Sequence, residues 1–269
     1  MSRYAIMFDR LARSGEGAFG AFLMLGDPDL ETSARLLDAA VEGGADMIEV
    51  GIPFSDPIAD GPVIQAAAER ALKQNVRPAD AFSLLSEFRR RHPQIPVGIL
   101  TYANLVMARG RDAFCHASVE AGADSLLVAD VPVFEAEPFI AAARNSGLDP
   151  VLIAAANTPA ETLRKIARLG RGYVYCMARA GVTGTRDDVD FNHREMLDAL
   201  AAEGAPPPIF GFGISKPEHV RAAIDAGAAG VISGSAIIQQ ISEGRGSAAD
   251  RVRRFVAEMK MATHRQRLP

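Results

Sequence analysis

The chain has 269 residues, 48% of them hydrophobic, a net charge of −4 and two cysteines, Cys115 and Cys176. That is enough apolar material for one large domain or two small ones. With no prominent basic cluster, nucleic acid is not an expected partner, and two separated cysteines suit a reducing compartment rather than a disulfide framework. Residues 1–13 lack the apolar stretch of a signal peptide, and no run approaches about 20 apolar residues. A soluble, cytoplasmic protein with no membrane contact is expected.

In chain order, Tyr4–Ser14 reads as a short amphipathic helix with Tyr4, Met7, Phe8 and Leu11 on one face. Ala18–Leu25 is a strand closed by Gly26-Asp27-Pro28, and Glu31–Glu42 a helix facing inward with Ala34, Leu37 and Val41. Met47–Ile52 is a second strand, followed by turn formers and a helical pattern that opens at Val63. The helix Pro78–Arg91 places Phe82, Leu85 and Phe88 inward. Strand Val97–Thr101 precedes helix Ala113–Ala121, Ser125–Ala129 precedes Glu137–Asn145, and Pro150–Ala154 precedes Pro159–Leu169. The last strands are Gly172–Met177, Pro208–Phe212 and Gly230–Ile232.

Eight strand-then-helix units imply a parallel sheet. The segments EGGAD (42–46), EAGAD (120–124) and DAGAA (225–229) each end a helix just before a strand, with a glycine for the left-handed position past the helix end. Eight units in about 250 residues match an α/β fold, a single (β/α)8 or TIM barrel over residues 1–269 with an extra N-terminal helix. An open doubly wound sheet competes, but Gly26-Asp27-Pro28 is not the Gly-rich nucleotide turn expected after its first strand.

A barrel builds its active site from the loops at the C-terminal strand ends. Glu49 stands inside an apolar strand, where an acid is costly to desolvate and loses acidity, which suits a proton shuttle. Asp56 and Asp60 lie in the turn beyond it and fit turn-forming and capping as well as chemistry. The segment 178–188 holds glycines on either side of Val182-Thr183 and reads equally as a lid or an ordinary loop. Gly211-Phe212-Gly213 and Gly234-Ser235 allow backbone N–H groups to approach an anion, the second at the start of a helix; the alternative is glycine used only for tight turns. The four lysines lie outside the strands, which disfavours a Schiff-base aldolase. None of the five histidines has a second at metal-ligand spacing, and each reads as a surface or capping residue. Carboxylate acid–base chemistry on a phosphorylated substrate remains.

The segments IEVGIPFSDPIADGP, PVGILTYANLV, LLVADVP, GYVYCMARAGVTG, GFGISKPEHV and AGAAGVISGSAI resemble the α subunit of tryptophan synthase, in order from about Arg3 to near the C-terminus. The resemblance implies cleavage of indole-3-glycerol phosphate to indole and glyceraldehyde 3-phosphate, without metal or organic cofactor in this chain. By it, Glu49 is the acid–base residue and Asp60 the acid facing the indole N–H. Tyr175 lines the glycerol end, and Phe22, Leu100, Leu127, Phe212 and Ile232 form the indole pocket. Gly184, Gly213, Gly234 and Ser235 contact the phosphate, and Thr183 closes toward Asp60 from the lid. The resemblance also implies an α2β2 complex with a pyridoxal-phosphate β subunit, contacted through Pro53, Asp56 and Pro57. Ala21, Met24, Ala155 and Ala178 stand where the family usually has Pro, Thr, Pro and Ser. Another barrel enzyme for a phosphorylated metabolite, or a silent subunit that only activates a partner, are the competing readings; docking alone would need neither Glu49 nor Asp60.

Overall fold

A computed structural model describes residues 1–177, 193–242 and 246–265. In chain order the first elements are α1 (Arg3–Ser14), β1 (Ala18–Met24), α2 (Leu30–Glu42), β2 (Met47–Gly51), α3 (Pro62–Lys73), α4 (Pro78–Arg91) and β3 (Val97–Thr101). Next come α5 (Ala103–Arg109), α6 (Arg111–Glu120), β4 (Ser125–Val128), α7 (Glu137–Ser146), β5 (Asp149–Pro150), β6 (Leu152–Ala155) and α8 (Ala160–Leu169). The rest are β7 (Val174–Met177), α9 (Arg194–Ala202), β8 (Pro208–Gly211), α10 (Pro217–Asp225), β9 (Gly230–Ser233), α11 (Ser235–Ser242) and α12 (Ala248–Met261).

The strands form one parallel sheet in the order β5-β4-β3-β2-β1-β9-β8-β7-β6. Its two ends, β5 and β6, are separated in the chain by Val151 alone, so the sheet curls into a barrel. The fifth barrel strand is therefore present in two pieces rather than as one run from Pro150 to Ala154. Pro150 has no N–H to donate, and the ladder changes partner there: β5 pairs with β4 and β6 with β7. Every residue of β1 and β2 is buried, as expected for strands covered on both faces.

Most helix faces match the pattern. Tyr4, Met7 and Leu11 of α1 are buried, as are Phe82, Leu85 and Phe88 of α4. Helix α2 is turned from its expected orientation: Leu36, Leu37 and Ala40 are buried, whereas Ala34 and Val41 are only half-buried. The helix starts one residue early because the Asp29 side chain accepts from the Thr32 N–H. Gly44, Gly122 and Gly227, in the three repeated turns, have φ of 97°, 94° and 106°, the conformation that their position requires.

Two of those turns deliver an aspartate to the N-terminal end of the barrel. Asp46 accepts from Arg10 at 2.7 Å and pairs with Lys260 at 2.8 Å. Asp124 accepts from Arg3 and Arg89, each at 2.7 Å. Arg3 and Arg10 belong to α1, which is thereby held across the barrel floor. Tyr4 enters from this floor, fully buried, its hydroxyl 2.9 Å from Ser125 Oγ. Among the described residues no helix is long and apolar enough to cross a membrane.

Candidate active site

Glu49 lies midway along β2, opposite Phe22 of β1 and Gly98 of β3. It is 1% exposed. Tyr173, just before β7, donates its hydroxyl to Glu49 Oε1 at 2.8 Å. Burial, with a smaller push from Asp60, raises the Glu49 pKa to about 7, although the Tyr173 hydrogen bond pulls the other way. Tyr173 itself is driven well above the usual tyrosine range by burial, so it stays a donor. The rings of Tyr4 and Tyr173 are 5.4 Å apart, and Gly98 leaves room for them: a Cβ there would stand 2.7 Å from Ser125 Oγ and 3.1 Å from the Tyr4 hydroxyl.

Asp60 closes the loop between β2 and α3 and is 9% exposed. Burial raises its pKa to about 6. The Tyr102 hydroxyl beside it offsets part of that rise without making a well-formed hydrogen bond. Pro62 starts α3 at its first position, so the chain leaves the acid directly into a helix.

Both carboxylates line one cavity of about 530 Å³ including its mouth, together with Phe22, Leu100, Tyr175, Phe212, Gly213, Ile232, Gly234 and Ser235. Ile64, Ile214, Ser215 and Ala236 also line it. A larger cavity of about 950 Å³ lies between β4, α7 and β6, but among the described residues that line it Asp130 alone is ionisable. The smaller one has the chemistry. Gly211 is occupied from within: a Cβ there would fall 1.9 Å from the Tyr175 hydroxyl, and the Tyr175 ring meets Phe212 edge-on at 5.7 Å. Phe212 has left β8 because its φ is +63°, which ends the strand one residue earlier than its apolar run suggests.

Not every expected site residue gathers here. Leu127 is buried beside Leu100, its register partner on β3, without being among the described residues that line the cavity. Pro53, expected at a partner surface, is buried against the strand exit; Asp56 is exposed and Pro57 half-buried. Thr183 and Gly184 lie outside the described residues, as does the whole segment 178–188. Tyr173 was not anticipated, although its spacing of two from Tyr175 places both on one strand face. Of the histidines expected at the surface or as caps, His193, at the N-cap of α9, and His219 are buried, at 6% and 8% exposure, and each ring meets backbone: His193 Nε2 is 3.1 Å from Met177 O and His219 Nδ1 3.0 Å from Gly213 O.

The arrangement is that of a barrel enzyme: two buried carboxylates of raised pKa face two glycine-rich turns across an apolar pocket. Comparison with protein families matches residues 8–266 to the model of the tryptophan synthase alpha chain. The tryptophan synthase alpha chain of Aeromonas hydrophila is 49% identical over 98% of this chain and 100% of its own length, and that of Serratia proteamaculans is 48% identical over 98% and 99%. Among solved structures, Mycobacterium tuberculosis tryptophan synthase superposes with a TM-score of 0.88 at 31% identity, covering 98% of each chain. A chain of the tryptophan synthase α2β2 complex of Pyrococcus furiosus gives 0.83 at 38% identity, covering 91% of this chain and 98% of that one. The chain belongs to the tryptophan synthase alpha chain family.

Proposed function

We propose that this chain, acting as one barrel domain in the cytoplasm, cleaves indole-3-glycerol phosphate to indole and glyceraldehyde 3-phosphate, with Glu49 and Asp60 as the reacting groups. The carrying observation is that Glu49, of pKa about 7, shares its cavity with Asp60, of pKa about 6. Near neutrality Glu49 is present in both forms while Asp60 is mostly ionised. Protonated Glu49 delivers its proton to the indole C3, and the ring becomes an iminium whose N–H faces the Asp60 carboxylate. The glycerol hydroxyl next to the ring then gives its proton to the Glu49 carboxylate. Its oxygen becomes the aldehyde carbonyl, the carbon–carbon bond breaks, and the electron pair restores the aromatic ring. Phe22, Leu100, Phe212 and Ile232 keep water from the ring, and Gly213, Gly234 and Ser235 take the phosphate at the other end.

The chain brings no cofactor to this chemistry; pyridoxal phosphate belongs to a β-chain partner that consumes the indole in an α2β2 complex. The exits of β2, β3 and β4 support docking there, since they expose Ile58 (73%), Met107 (50%) and Phe134 (74%), the first of them two residues from the exposed Asp56. Incubating the purified chain with indole-3-glycerol phosphate should release indole, faster when a β chain of the family is added. No indole under either condition would overturn the assignment, and release unaltered by the β chain, with no co-elution, would remove the partner.

A further inference from the structure

The turn after β8 reverses the chain through two consecutive residues of positive φ, Phe212 at 63° and Gly213 at 80°. A phenylalanine in that region is strained and persists only where its surroundings hold it. Two buried side chains do so. Ser233 Oγ donates to Ile214 O at 2.6 Å. His219, in the first turn of α10, sets one ring nitrogen against both sides of Ile214: Nδ1 is 3.0 Å from Gly213 O, 3.3 Å from Ser215 N and 3.4 Å from Ser215 Oγ. Carrying a proton, Nδ1 donates to the Gly213 carbonyl; without one, it accepts from the Ser215 N–H. A planar trans peptide points its N–H opposite to its C=O. Drawing the Gly213 carbonyl toward α10 therefore turns the Ile214 N–H to the other side. Gly213, Ile214 and Ser215 all line the cavity and His219 does not, so the ring works from behind the turn.

We propose that His219 is a positioning residue for the phosphate half of the site: it fixes the peptides flanking Ile214 so that the turn presents its backbone N–H groups to a phosphomonoester. The proposal rests on the reading of Gly213, Gly234 and Ser235 as the phosphate contacts.

The test uses the full chain with His219→Leu, His219→Asn and, as a control on the phosphate reading, Gly234→Val. Steady-state cleavage of indole-3-glycerol phosphate is measured with inhibition by inorganic phosphate as a second readout. His219→Leu should raise KM and the phosphate Ki together by about tenfold, the scale of one lost hydrogen bond, with kcat changed by less than about twofold. His219→Asn, whose amide can donate or accept at the Nδ1 position, should bring both back to within about threefold of the parent. If the leucine variant does not accumulate as folded protein, His219→Ala replaces it with the same expectation. Unchanged KM and Ki in a folded leucine or alanine variant, or no recovery with asparagine, overturns the proposal. If Gly234→Val raises both constants while His219→Leu does not, only the role of His219 falls. If Gly234→Val also leaves them unchanged, the phosphate reading itself falls.

Discussion

Glu49, within β2, and Asp60, in the loop beyond it, are buried acids whose ionisation burial opposes, raising their pKa to about 7 and about 6. Across the same cavity Gly213, Gly234 and Ser235 carry no charge. The first pair acts through what surrounds a side chain, the second group through how closely a backbone can be approached. Changes on the carboxylate side should therefore appear in kcat and its pH profile, and changes on the glycine side in KM. A site in which both responses were mixed would not be divided in this way.

The largest effect is expected for Glu49→Gln, which keeps an acceptor for Tyr173 and removes the transferable proton. Indole formation should fall at least about 10³-fold in kcat, and a variant with parental turnover would break the carboxylate half of the comparison. The same variant should gain stability at pH 8. Because the folded pKa lies above the unfolded one, the carboxyl of the parent favours the folded state while protonated, and that contribution fades as pH rises from about 4.5 to about 7. The melting temperatures of parent and variant should thus diverge with rising pH; parallel curves would show that Glu49 is not desolvated.

Next in size, Gly234→Val should raise KM for the phosphorylated substrate by about tenfold with kcat nearly kept. A Cβ at Gly234 would meet Phe22 Cδ1 at 3.5 Å, an ordinary contact, so valine crowds the cavity wall without disrupting the turn between β9 and α11. A fall in kcat at unchanged KM would put this turn on the chemical side instead. The smallest effects are shifts of the alkaline limb of kcat/KM, expected near pH 7. Tyr173→Phe removes a hydrogen bond that favours the Glu49 carboxylate and should move that limb upward, whereas Asp60→Asn, which also lowers kcat by removing the charge that faces the iminium, takes away a repelling charge and should move it downward. Shifts of the same sign in both variants would mean that Tyr173 and Asp60 do not act on Glu49 separately.

Glu49 stood out in the sequence because an acid inside the apolar strand MIEVG is costly to bury without a role, whereas Asp60 read equally as a turn or capping residue. The glycine turns were legible by their place on successive strands. What supports them was harder to see. Tyr173 works through a carboxylate far away in the chain, and only the two-residue spacing to Tyr175 hinted at it. His219 occupies a helix whose pattern says which face turns inward, but not that a loop carbonyl would be waiting there. Helix α5 has only seven residues, too few to show a period. Local pattern names elements and misplaced charges; contacts between distant segments need the closed barrel.

The clamp of α1 across the barrel floor also constrains the order of events during synthesis. Arg3 and Tyr4 leave the ribosome well before Asp124 and Ser125, which bind them from 121 positions further along. Until that length of chain has emerged, this helix has one apolar face and no floor to cover, and Tyr173, the donor to Glu49, arrives later still. This helix is thus made well before it can be seated, and the floor beneath the reacting acid closes only when the strands that follow Asp124 and Tyr173 are in place.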